Sequence, residues 1–81
     1  MARFYFHVRE MNQLVTDDEG GELPDKSAAL REAQQSARDL LADAIKAGKD
    51  WIPEEFVIAD EEGREIATVP LAAVLPEPLK K

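Results

Sequence analysis

Apolar and polar side chains alternate along the first residues of the chain. Phe4, Phe6 and Val8 fall on one side of an extended backbone, and polar or charged residues fall on the other. This two-residue period predicts a β-strand over Arg3 to Arg9 with one buried face. A short apolar segment, Gln13 to Thr16, follows a turn and predicts a second strand that pairs with the first as a hairpin.

The longest periodic segment predicts one amphipathic helix from Asp25 to Ala47. Asp25 suits the N-cap, and Gly48 suits the position that follows a helix C-terminus. A coiled coil is the alternative, but it needs large apolar residues over several heptads. The apolar stripe is rich in alanine instead, which favours close packing on a sheet; its residues are Ala29, Leu30, Ala33, Ala37, Leu40, Leu41, Ala44 and Ala47.

Two further strands, Glu54 to Asp60 and Arg64 to Val69, flank a turn that ends in Gly63, which predicts a second hairpin. Both faces of this hairpin carry apolar residues, so it is either central in the sheet or in contact with another surface. The predicted fold class is α+β in the order β-β-α-β-β, with one helix on a mostly antiparallel four-stranded sheet. We expect a single domain over residues 1–75 and a flexible tail over residues 76–81.

The net charge is −7, from ten Lys and Arg residues against seventeen Asp and Glu residues. This charge disfavours nucleic acid and anionic lipid as partners. The acidic residues concentrate in segments 17–25 and 50–65, which are either solvated loops or a surface for a basic protein. There is no cysteine, no apolar segment of membrane-spanning length and no signal-peptide pattern. We therefore expect a cytoplasmic protein.

Candidate chemistry is sparse. His7 is the single histidine, and the sequence identifies no partner that would orient it as a catalytic base. The acidic runs lack the spacing of a calcium loop, and Gly20-Gly21 lacks the lysine of a phosphate-binding loop. We predict no catalytic, cofactor-binding or metal-binding residues, and hence no enzyme. Trp51 is expected to cover the open end of the core together with Pro53.

A contact surface is the leading functional hypothesis. It places a homodimer interface on the sheet face that the helix leaves uncovered, in a non-enzymatic protein-interaction module. The alternatives are an acidic, antitoxin-like protein that binds a basic partner, and a small-molecule binder that uses Tyr5, His7 and Arg9. The predicted contact patch consists of Tyr5, His7, Arg9, Val57, Ala59, Ala67 and Val69.

The segments Arg3 to Arg9, Asp18-Glu19-Gly20 and Glu22 to Asp25, followed by a helix with Glu32-Ala33, resemble a bacterial domain family of unknown function. Its short chains open with an R-Y-F-F-H-V type strand and continue with D-x-E-G-x-x-x-P-D. The resemblance spans nearly the whole chain and implies structural roles: a turn glycine, a helix cap and core aromatics. A weaker likeness is to antitoxin domains of the HicB type, which share the acidic loop and the P-D helix start.

Overall fold

A computed structural model describes residues 1–76 and residue 78. Most of the tail predicted over residues 76–81 lies outside this described part. A 3-10 turn, Leu71–Val74, follows the last strand. The other elements, in chain order, are β1 (Ala2–Glu10), β2 (Gln13–Val15), β3 (Gly21–Leu23), α1 (Lys26–Lys46), β4 (Glu55–Ala59) and β5 (Glu65–Pro70).

The sheet is antiparallel, with the order β2-β1-β4-β5. β1 is long enough to pair with two short strands on one edge: β2 pairs with its C-terminal end and β3 with its N-terminal end. The predicted α+β class and element order are confirmed. β3 is the difference, because it lies in the acidic segment predicted to be loop. Three residues are too few to show a period, and their pairing partners, Ala2 to Phe4, are distant in sequence.

The helix forms and docks as its sequence predicts. The Asp25 side chain accepts a hydrogen bond from the backbone N–H of Ala28 at 2.9 Å, which caps the helix N-terminus. Ala29, Ala33 and Ala37 have no exposed surface, because their small side chains bring the helix axis close to the sheet. The core beneath the helix also contains Phe4, Leu41, Phe56, Ile58, Val69 and Leu71. Among the described residues, no helix is long and apolar enough to cross a membrane.

The two ends of the sheet differ. The β1–β2 turn and the segment between α1 and β4 lie at one end, where the N–H of Glu54 donates to the carbonyl oxygen of Arg9 at 2.8 Å. We call this the β1–β2 turn end. The β4–β5 turn, in which Asp60 accepts hydrogen bonds from the N–H groups of Glu62 and Arg64, lies at the opposite end of β4.

Candidate functional site

The sheet face that α1 leaves uncovered carries five of the seven predicted contact residues. Alternate residues of β1 project from this face, and their cross-strand partners on β4 share it. The rings of Tyr5 and His7 stack, with centroids 6.4 Å apart and planes 17° apart. The pairs across the two strands are Tyr5 with Ala59, His7 with Val57 and Arg9 with Glu55.

Arg9 is ion-paired with two carboxylates on this face. Its Nε donates to Glu55 Oε2 at 2.9 Å, and its Nη2 lies 3.8 Å from Oε2 of Glu65. On β4, Val57 lies between Glu55 and Ala59, and Ala59 is the residue that pairs with Glu65. Val57 is fully buried and Ala59 is 1% exposed. These two residues of the predicted patch thus have almost no surface left for a partner.

The predicted placement of Ala67 and Val69 on the uncovered face is wrong. Ala67 is paired with Ile58, and Val69 with Phe56, so both lie on the helix side of the sheet. The cause is the register of the second hairpin, which has an irregularity between Ile58 and Ala59. One residue of shift exchanges the two faces of a strand, and the sequence of the turn does not determine that shift.

Asp17 fills the gap on the β1 edge between β2 and β3. Its Oδ2 accepts a hydrogen bond from the N–H of Phe6 at 3.1 Å, and its Oδ1 accepts from the N–H groups of Glu19 and Gly20 at 3.2 and 3.1 Å. Partial burial opposes the charge of this carboxylate, but the three donors outweigh that effect and hold the pKa of Asp17 below its ordinary value of 3.8. A side chain therefore replaces the missing strand at this position.

The same loop also forms a hydrogen bond with the His7 side chain. The backbone N–H of Asp17 donates to His7 Nδ1 at 3.0 Å, so this nitrogen carries no proton and the neutral ring has its N–H on Nε2. A catalytic base oriented by a carboxylate would have the opposite arrangement, with Nδ1–H as the donor. The geometry around His7 is that of a structural hydrogen bond.

Two more contacts bind the loop to β1. The Arg3 side chain donates to the carbonyl oxygen of Glu19 at 2.8 Å and pairs with Glu22 at 3.1 Å. Gly20, at φ +68°, lies so close to β1 that a Cβ atom there would be 2.7 Å from the carbonyl oxygen of Phe4 and 2.9 Å from the Tyr5 ring. Sequence reasoning does not connect the loop to the first strand, although the Asp17-x-x-Gly20 spacing is typical of a turn closed by an aspartate.

A second feature, a cavity beside Trp51, lies at the β1–β2 turn end of the sheet. Trp51 is 45% exposed, so the prediction that it covers the core is wrong. Its ring borders a cavity of about 250 Å³, which we call the Trp51 cavity, and Lys49 Nζ lies over that ring at 5.8 Å from its centroid. The cavity is lined by Glu10, Leu40, Asp43, Ala44, Ala47, Lys49, Trp51 and Pro53.

Within the described part of the chain, no three His, Cys, Asp or Glu side chains come together as a possible metal site. The arrangement thus defines a small α+β domain whose recognisable polar residues mostly bind a loop to its first strand. Residues 3–72 match a domain family of unknown function, DUF6894, and the chain belongs to that family. The resemblance to a family of unknown function is confirmed. No curated protein and no solved structure shows a significant match.

Proposed function

We propose that this protein is a non-enzymatic protein-interaction module that self-associates through the β2 edge of its sheet. The observation that carries the proposal is an exposed, uncharged and apolar edge strand. Leu14 is 39% exposed and Val15 is 48% exposed, and Met11 in the adjoining turn is 74% exposed. Natural edge strands are normally protected by shortness, charges, proline or a covering element. β2 is short, at three residues, but it contains no charge and no proline, and its residues are exposed in the described part of the structure.

The charge pattern supports association at this edge. The chain carries a net charge of −7, so two copies repel each other in most relative orientations. Residues 11–16, Met-Asn-Gln-Leu-Val-Thr, contain no charged side chain. The opposite edge, β5, includes Glu65 and ends in Pro70, which lacks a backbone donor. Two copies can therefore meet at β2 without placing charged side chains of the two β2 strands against each other.

The backbone of the turn that precedes β2 also supports self-association at this edge. Met11 and Asn12 both adopt positive φ, at 49° and 66°, as in the two-residue turns that fit the twist of a hairpin. Asparagine or glycine is the usual residue at such positions, and methionine is strained there. An exposed methionine in a strained position suits contact with a partner better than it suits the stability of the isolated chain.

The proposed dimer places β2 of one copy antiparallel to β2 of a second copy about a twofold axis. Leu14 is paired with Arg9 and so lies on the uncovered face, whereas Val15 is paired with Val8 and lies on the helix side. Both faces of the joined sheet thus gain an apolar contact. The sequence predicts the homodimer interface on the uncovered face itself. That face has less accessible apolar surface than the β2 edge, because Arg9 is ion-paired and Val57 is buried.

Light scattering coupled to gel filtration tests this proposal. We expect the mass to rise with concentration toward twice the 9.0 kDa of one chain, and Leu14→Lys to keep the protein monomeric through charge repulsion at the edge. Thr68→Lys is the matched control, because Thr68 is an exposed residue of the other edge strand. A protein that stays monomeric at near-millimolar concentration, or a dimer disrupted by Thr68→Lys instead, would contradict the proposal.

A further inference from the structure

We infer that the Trp51 cavity is a binding site for the cationic side chain of a basic protein segment, with arginine or lysine as the group recognised. The proposal goes beyond self-association, because the cavity is formed by α1, Glu10 and the segment before β4 and does not involve β2. It rests on three features of the cavity: its walls, its charge and the lysine that already lies on the Trp51 ring.

The walls suit an alkyl chain that ends in a positive charge. Leu40, Ala44, Ala47 and Pro53 provide apolar surface, and Trp51 presents an aromatic ring that is 45% exposed. Aromatic rings attract cations through the negative potential of their faces, and tryptophan does so most strongly. Lysine and arginine have apolar stems and charged ends, so both parts of the side chain find matching surface here.

The charges complement a cation. Glu10 and Asp43 line the cavity from two different elements, β1 and α1, and their two negative charges exceed the one positive charge of Lys49. Asp50 and Glu54 flank the tryptophan segment in the sequence, and both are exposed. The chain as a whole carries −7, which draws a basic segment toward the protein at long range.

Lys49 shows that the ring accepts a cation. Its Nζ lies 5.8 Å from the centroid of the Trp51 ring, within the range of a cation–π contact. Lys49 is exposed, so its hold on the ring is weak and a partner's side chain can displace it. The internal lysine thus occupies the position that we assign to the partner's cation.

The size of the cavity favours the side chain of a protein segment over a free small-molecule amine as the source of the cation. About 250 Å³ lies below the usual range of sites that enclose a small molecule, but it accommodates one long side chain. The remaining contacts would come from the peptide around that side chain. A segment of a basic protein therefore fits better than a free amine.

An NMR titration tests the inference, because Trp51 is the single tryptophan and its indole N–H gives one cross-peak. The probe is a short glycine-serine peptide with one arginine, and its twin carries the uncharged isostere citrulline. We expect the arginine peptide to shift the indole signal in a saturable way that weakens with salt, and the citrulline peptide to bind at least about threefold more weakly.

Variants then locate the site. We expect Glu10→Gln and Asp43→Asn each to weaken binding about threefold, while Glu61→Gln at the opposite end of the sheet leaves it unchanged. Lys49→Gln should strengthen binding about threefold by removing the internal competitor. Lys26→Gln makes the same change in net charge at the start of α1 and should have no such effect.

The inference is overturned if the indole signal does not move, if the citrulline peptide binds equally well, or if Lys49→Gln and Lys26→Gln act alike. The last result would mean that only the overall charge of the protein attracts the peptide. Because Leu14→Lys leaves every cavity residue in place, the titration can be repeated in that variant. Failure of the dimer and failure of the cation site are then distinguishable.

Discussion

Gly20→Ala is expected to lower the free energy of unfolding by about 2–5 kcal/mol. Gly20 has a φ of +68°, where a side chain costs about 1–2 kcal/mol. The added Cβ would also lie 2.7 Å from the carbonyl oxygen of Phe4, which is part of β1 and cannot rotate away. Such overpacking costs about 1–3 kcal/mol more. Urea unfolding followed by circular dichroism measures the total.

Substitutions at two other glycines separate the cost of the positive φ from the cost of the close contact with β1. Gly63 has a φ of +84°, and a Cβ atom added there would have no neighbour within 4 Å, so Gly63→Ala should cost about 1 kcal/mol through the backbone alone. Gly21 has neither a positive φ nor a close neighbour, and Gly21→Ala should stay within about 0.5 kcal/mol of the parent protein. If Gly20→Ala costs no more than Gly63→Ala, the tight approach of the loop to β1 is not what makes Gly20 necessary.

Local signals in the sequence are enough to predict the helix. Asp25, Gly48 and the alanine stripe act within a few residues of one another, and the helix forms at Lys26–Lys46 as they indicate. The strands are also predictable where alternation is clear, as in β1. The fold class follows from the order of these elements, because an amphipathic helix between two hairpins has one apolar stripe to bury.

The candidate site is less predictable because it depends on register and on contacts distant in sequence. The sequence identifies the alternation in β5 but not its pairing with β4, which is why Ala67 and Val69 are predicted on the wrong face. The Trp51 cavity joins Glu10 to residues that are distant in sequence, the nearest of them being Leu40. No local pattern indicates that Glu10, Asp43 and Trp51 line the same space.

The residues that make the sequence recognisable also have a structural explanation. Asp17, Glu19, Gly20 and Asp25 lie in or beside the segment that resembles the family pattern, and Arg3 belongs to its opening strand. In the structure Asp17 and Gly20 are in contact with β1, Arg3 bonds to Glu19, and Asp25 caps the helix. The motif therefore attaches the loop to the first strand and starts the helix. The proposed recognition surfaces lie elsewhere, at β2 and at the Trp51 cavity.

Asp17→Asn is expected to lower the free energy of unfolding at neutral pH by about 1–2 kcal/mol. The amide keeps one acceptor oxygen, but its NH₂ group must then face either the N–H of Phe6 or those of Glu19 and Gly20. Hydrogen bonds to a charged acceptor contribute more than neutral ones, and partial solvation of Asp17 reduces the difference. Asp18→Asn, at an exposed neighbour, should stay within about 0.5 kcal/mol of the parent protein.

The effect of Asp17→Asn should also depend on pH. Partial burial raises the pKa of Asp17 in the folded state, but the hydrogen bonds from Phe6, Gly20 and Glu19, together with the charge of His7, outweigh it and hold this pKa below its ordinary value of 3.8. A carboxylate with a lowered pKa adds stability above the unfolded-state pKa and loses it as the pH falls through the folded-state pKa. The difference between parent and Asp17→Asn should thus be present at neutral pH and shrink as the pH falls below 3.8. A difference that persists unchanged at about pH 2 would show that the shape of the side chain, and not its charge, holds the loop on β1.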